Sequence, residues 1–333
     1  MKLFDSKKKK LLWFIFAIFL VCFLLSINAG SKVKNPVFGV TFSPDQAEAL
    51  GLNWKELYVK MLDDLGVKNL RISAYWNQVQ PQNSTEYNFE KLDFQVLEAE
   101  KRGVKLVLAI GKKLPRWPEC HTPNWVKELP ESSAQNAQLA YMETVVKRYM
   151  FSPAVEMWQV ENEPYLDFGE CPVLNKEFFD KEIALVKSID PSRKILITDS
   201  GELSSWLQAG TRGDVFGTTL YRYVFSDVFK RYWVNYIPFW FYRIKGGLLR
   251  MVEPGKQIVI IELQTEPWTT KGITSTPIEE QFKTMSIQKF EKMLSVAKAT
   301  GYSPQYLWGV EWWEWMNNQG HPEYWERAKE LFH

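Results

Sequence analysis

The chain has 333 residues with 41 Lys and Arg against 39 Asp and Glu, a formal net charge of +2, so bulk charge gives no reason to expect a nucleic-acid partner. Hydrophobic residues make up 46% of it, enough to bury a large core and to exclude a disordered polymer. Its three His, at 121, 321 and 333, are scattered; neither a metal site nor a cofactor is expected.

The N-terminus has its own pattern. Lys7 to Lys10 form a basic cluster, and an apolar run follows from Leu11 to Ile27, broken only by Ser26. A cleavable export signal has an apolar region of roughly 7–15 residues and a spanning helix roughly 17–25. Residues 11–28 therefore read as an uncleaved signal-anchor, with 1–10 a basic stub that stays cytoplasmic. Residues 29–36 read as a linker and 37–333 as one extracytoplasmic domain, or a secreted one if the segment is cleaved.

Beyond the linker, apolar β-branched runs alternate with helical patterns. That alternation predicts parallel strands joined by crossover helices. The predicted strands are 37–42, 69–74, 105–110, 154–160, 194–198, 215–221, 257–261 and 306–311. Between them, Phe89, Leu92, Val96 and Ala99 make one helical stripe, and Phe290, Met293, Leu294 and Ala297 another. Thr276-Pro277 followed by Glu279 and Glu280 marks a helix start; Gly103 and Gly301 mark helix ends. Eight such units, with no Gly-rich phosphate loop after the first strand, predict a closed (β/α)8 barrel rather than an open dinucleotide-binding sheet. The apolar stretch at 239–249 is expected to pack as a helix on the barrel. Cys120 and Cys171 fall in the loops after the third and fourth strands. Export would let them pair; two separate buried thiols are the alternative.

In such a barrel the chemistry sits at the C-terminal strand ends. The fourth strand ends in Glu161-Asn162-Glu163-Pro164, and the seventh ends in Glu262, followed by Leu263-Gln264-Thr265-Glu266. Carboxylates capping apolar strands are costly unless they work or are paired. Two that face one another across a lumen are what glycoside transfer requires, one as acid and the other as nucleophile or base. The 15 Trp fit that reading, since flat aromatic faces suit the C–H faces of sugar rings.

Several segments together resemble one family. Asn162-Glu163-Pro164 with a Glu after the seventh strand is similar to clan A of the glycoside hydrolases, the (β/α)8 group of cellulase- and β-galactosidase-like enzymes. Arg71-Ile72-Ser73-Ala74-Tyr75-Trp76, Pro115-Arg116-Trp117-Pro118 and Trp308-Gly309-Val310-Glu311-Trp312-Trp313 resemble that clan's second, third and eighth strand ends. The resemblance spans about residues 37–315 and implies a retaining glycosidase acting on a saccharide or glycoconjugate. It implies Glu163 as acid/base and Glu262 as nucleophile, with Asn162 on the sugar 2-hydroxyl, Arg71 and Tyr221 beside the nucleophile, and Trp312 under the sugar. Trp76, Trp117 and Trp268, in predicted loops, are candidate sugar platforms. Glu161 and Glu266 are nearby alternatives to the two chosen carboxylates. A transglycosylase on the same site and an inactive carbohydrate-binding barrel are the competing functions.

Overall fold

The structure, a computed structural model, describes residues 8–14, 16, 17, 20, 21, 33–226 and 229–333. Eight parallel strands close a barrel. They are β1 (Phe38–Thr41), β2 (Asn69–Ser73), β3 (Lys105–Ile110), β4 (Val155–Val160), β5 (Lys194–Asp199), β6 (Val215–Leu220), β9 (Gln257–Gln264) and β10 (Gln305–Trp308). The ring closes where β10 pairs with β1, Phe38 lying opposite Gln305. Two further strands, β7 (Tyr223–Ser226) and β8 (Arg231–Val234), form an antiparallel hairpin outside the barrel, which the sequence pattern did not foretell.

The elements form for simple reasons. Strands such as LVLAI in β3 and ILITD in β5 are buried throughout, as strands covered on both faces must be. The stripe on the helix Ile287–Thr300 buries Phe290, Met293, Leu294 and Ala297 against the barrel, and Gly301 ends that helix with φ 79°. Leu92, Val96 and Ala99 do the same on the helix Glu90–Lys101. Pro277 caps a single turn, Ile278–Gln281, and the longer helix begins only at Ile287. The apolar stretch after β6 is the helix Phe239–Val252.

One strand boundary differs in a way that matters. The eighth predicted strand was expected to run to Glu311, but β10 stops at Trp308. Gly309 takes φ 138°, and the helix Val310–Asn318 starts at once. A Cβ at Gly309 would sit 2.7 Å from the Glu266 Cβ, so this tight turn needs glycine. Trp312 therefore sits on a helix and not at a strand end.

The predicted anchor, 11–28, lies largely outside the described residues. Among the described residues no helix is long and apolar enough to cross a membrane. The chain joins the domain at Val33, whose N–H donates to the Gly301 carbonyl at 3.4 Å.

The loops after β3 and β4 are fastened together. Cys120 and Cys171 form a disulfide across a separation of 51 residues, and Asn162 N–H donates to the Lys113 carbonyl at 2.6 Å. Closing a loop of that length restricts the unfolded chain, so Cys171→Ser should cost about 2–4 kcal/mol of stability in denaturant titration. A loss below about 0.5 kcal/mol would mean that the covalent link is incidental to stability.

Candidate active site

Both predicted carboxylates line one cavity of about 600 Å³ at the C-terminal end of the barrel. Glu163 follows β4 and Glu262 lies on β9, three steps apart around the ring. Their surroundings differ. Glu262 accepts from Arg71 Nη1 at 2.7 Å on one oxygen and from the Tyr221 hydroxyl at 3.0 Å on the other. Glu163 has no cation on its carboxylate among the described ion pairs; Thr219 Oγ1 lies 3.4 Å from its Oε1. Burial, then the charges of Glu262 and Glu119, push the Glu163 carboxyl well above its ordinary value. One acid is thus held by a cation and the other is biased towards its protonated form.

Arg71 is fully buried and uses each arm of its guanidinium. Nε donates to Gln159 at 2.8 Å, Nη1 to Glu262 and Nη2 to Asn162 Oδ1 at 2.7 Å. Asn162 in turn donates through Nδ2 to Glu119 at 3.2 Å. The chain at the end of β4 is bent sharply: Glu161 and Glu163 have φ of 58° and 43°, a conformation that non-glycine residues adopt only when held. The hold is visible. Glu163 N–H donates to Thr198 Oγ1 at 2.9 Å, and Lys113 Nζ donates to the Glu163 carbonyl at 3.1 Å.

The two alternatives are occupied elsewhere. Glu161 turns away from the cavity and accepts from the N–H groups of Lys112 and Lys113, at 3.0 and 2.6 Å, and from Gln138. Gly111 leaves room for it, because a Cβ there would collide with the Glu161 carboxylate. Glu266 does line the cavity, but Arg116 Nη1 and Trp308 Nε1 both donate to it.

Three aromatic placements need restating. Trp312 is buried, donates to Gln281 at 2.7 Å and packs on Tyr324; it does not reach the cavity. Trp308, at the true end of β10, lines the cavity instead, with the Arg116 guanidinium 4.1 Å from its ring. Trp76 is also buried: it opens the short helix Trp76–Val79, stacks on Tyr141 and donates to Gln80. Trp117, 69% exposed, and Trp268, edge-on to Tyr221, line the cavity.

Sequence reasoning missed Glu119, Glu202, Arg116 and the hairpin residues Val224 and Phe225, all of which line the cavity. Arg116 was in a quoted motif, and its buried bridging of Glu266 and Glu311 could have been suspected from three charges in otherwise apolar strand ends. His121 is buried against Tyr75 with Nε2 3.3 Å from the Arg116 carbonyl, and burial lowers it to about 4, which leaves it neutral at physiological pH.

No protein-family model matches the chain. Curated relatives do. Mannan endo-1,4-beta-mannosidase A of Emericella nidulans is 29% identical over 148 residues, covering 41% of this chain and 37% of its own. A probable mannan endo-1,4-beta-mannosidase A of Aspergillus flavus is 28% identical over 185 residues, covering 52% and 46%. The chain thus spans less than half the length of the curated relatives it matches. Among solved structures, the beta-galactosidase of Rahnella sp. R3 superposes with TM-score 0.61 at 14% identity, over 91% of this chain and 56% of its own. Xylanase 10B of Thermotoga petrophila does so with TM-score 0.54 at 16% identity, over 83% and 82%. These likenesses show a (β/α)8 barrel fold shared with glycosidases of known structure and a partial sequence match to mannan endo-1,4-beta-mannosidases.

The buried acids set a stability profile for this barrel. Burial is the first cause that lifts Glu119 to about 8, and Glu202 and Glu311 to about 7, from 4.5; Glu163 is raised too. Between those values the folded chain holds more protons than the unfolded one, so stability is full below about pH 4.5 on this account and is lost as pH rises through the folded values. The melting temperature should fall steadily from about pH 5 to about pH 8 in calorimetry. A melting temperature that rises across that window would contradict the burial of these groups as neutral acids.

Proposed function

We propose that this chain hydrolyses β-linked glycosides with retention of configuration. Glu262 attacks the anomeric carbon while Glu163 passes its proton to the leaving oxygen. Glu163, now a carboxylate, then takes a proton from water as that water displaces Glu262. The observation that carries this reading is the unlike setting of two acids on one cavity: Glu262 on Arg71 and Tyr221, Glu163 buried and protonated. Asn162 and Trp308 would contact the sugar. Retention calls for a carboxyl separation of roughly 5–5.5 Å. The mannan endo-1,4-beta-mannosidases among the relatives put β-1,4-linked mannan and aryl β-mannosides first on a substrate panel. Transfer to a sugar instead of water would use the same groups, and acceptor sugars in the assay would reveal it.

The test is an activated aryl β-glycoside panel. Glu163→Ala should lower kcat/KM by about 10²–10⁴-fold, least for the best leaving group, and azide should restore turnover as the β-glycosyl azide. Glu262→Gln should be inactive and not rescued in this way. Proton NMR should show the β-anomer as the first product. An α-anomer would sink the retaining mechanism, and a wild-type protein inert on the whole panel would favour a binding barrel.

We also propose that residues 11–28 anchor the protein with its barrel outside the cytoplasm. Alkaline carbonate washing should leave it in the membrane pellet with an intact N-terminus. A shortened form in the medium would mean cleavage and secretion.

A further inference from the structure

The cavity has two unlike halves. On one side the loops after β3 and β10 supply Arg116, Trp117, Glu119 and Trp308, a polar and aromatic surface suited to a sugar. On the other, the loops after β4, β5, β6 and β9 supply Phe168, Leu203, Val224, Phe225, Trp268 and Ile273. Apart from the Trp268 indole N–H, these six side chains can form no hydrogen bond to a hydroxyl, although Ser200, Glu202, Asn235 and Thr269 of the same loops also line the cavity. It is not core material either, since Leu203 is 79% exposed. Glu163, the proposed proton donor to the leaving oxygen, stands at the end of β4, on the side of the apolar wall.

The wall does not stop at the rim. Val224 pairs across the hairpin with Trp233, whose ring stacks on Phe229 at 5.1 Å. Both rings are exposed, and Arg231 lies 5.7 Å from each. The chain then enters the helix Phe239–Val252 through exposed Phe239 and Trp240. An apolar strip therefore leads from beside the acid out over the surface, with a cation along its edge.

We infer that the leaving group this cavity receives is a lipid chain: the substrate is a glycolipid, its sugar against Trp308 and the two carboxylates and its first methylenes along Leu203, Val224 and Phe225. This rests on the glycosidase reading above. An enzyme tethered as proposed above would meet such a substrate at the bilayer, and the strip gives the hydrocarbon a way out of the cavity along the hairpin.

The experiment uses the full-length protein in an amphipathic polymer and ethyl, butyl, hexyl and octyl β-glycosides of the sugar selected by the aryl panel, each below its micelle concentration. Their alkoxide leaving groups are of nearly equal basicity, so chemistry is constant along the series and only hydrocarbon contact changes. A fully buried methylene is worth about fourfold, and an open wall delivers part of that; kcat/KM should rise at least about tenfold from ethyl to octyl. Leu203→Asp and Phe225→Ser should bring the octyl-to-ethyl ratio back towards one. A flat series, a plateau at butyl, or variants that keep the wild-type ratio would each overturn the lipid assignment. Absence of turnover on every glycoside would instead overturn the glycosidase reading on which it stands.

Discussion

The site is organised around one buried cation. Arg71 has no exposed surface, and its guanidinium joins Gln159 and Asn162, on and just beyond β4, to Glu262 on β9. A buried charge is tolerable only when its partners are complete, and here each arm of the fork has one. The planar fork also fixes angles as well as distances, so Glu262 and the residue beside Glu163 are set in register by one rigid group. Lysine could match the charge and not the geometry. The barrel supplies the span, because β2, β4 and β9 point their C-terminal ends into the same space.

From that arrangement follows the division of labour between two chemically identical side chains. Glu262 sits at the cation, and Tyr221 donates to its other oxygen. Glu163 sits two residues beyond Glu161 on a bent strand end, within reach of the fields of Glu262 and Glu119 and without a cation of its own. Burial and like charge act in the same direction on Glu163, and both favour the protonated form. Glu119, in the loop after β3, is itself lifted to about 8 by burial and by Glu262. The disulfide Cys120–Cys171 and the Lys113 bonds hold that loop against the end of β4, so the electrostatic setting of the acid depends on a covalent and a polar clamp well outside the cavity.

The barrel was readable in the sequence because it follows from periodicity, whereas the choice of Glu163 over Glu161 came from the resemblance of Asn162-Glu163-Pro164 to clan A. Apolar runs fully covered on both faces mark strands, and an acid that ends such a run must lie at the rim. What the pattern could not give was anything decided by a single turn. Trp308 and Trp312 stand four residues apart in one apolar stretch, and only the φ of Gly309 puts the first in the cavity and the second behind a helix. Trp76 likewise follows a strand, yet one helical turn packs it onto Tyr141. The hairpin β7–β8 was missed because each of its strands has four residues and no alternation of polar and apolar faces. Glu119 and Glu202 come from irregular loops, where no period exists to place a side chain.

Those same irregular segments carry whatever distinguishes this barrel from others of its shape. The strand ends supply a reaction, and the loops decide what is brought to it. Gln264 shows the link between the two. It ends β9, two residues beyond Glu262, and its side chain accepts from the N–H groups of Arg222 and Tyr223 while donating to the Tyr223 carbonyl. One amide thus fixes the root of the hairpin to the strand that bears Glu262. The base of the apolar hairpin is therefore placed by the strand that carries Glu262, and Val224 and Phe225 line the same cavity as the two acids.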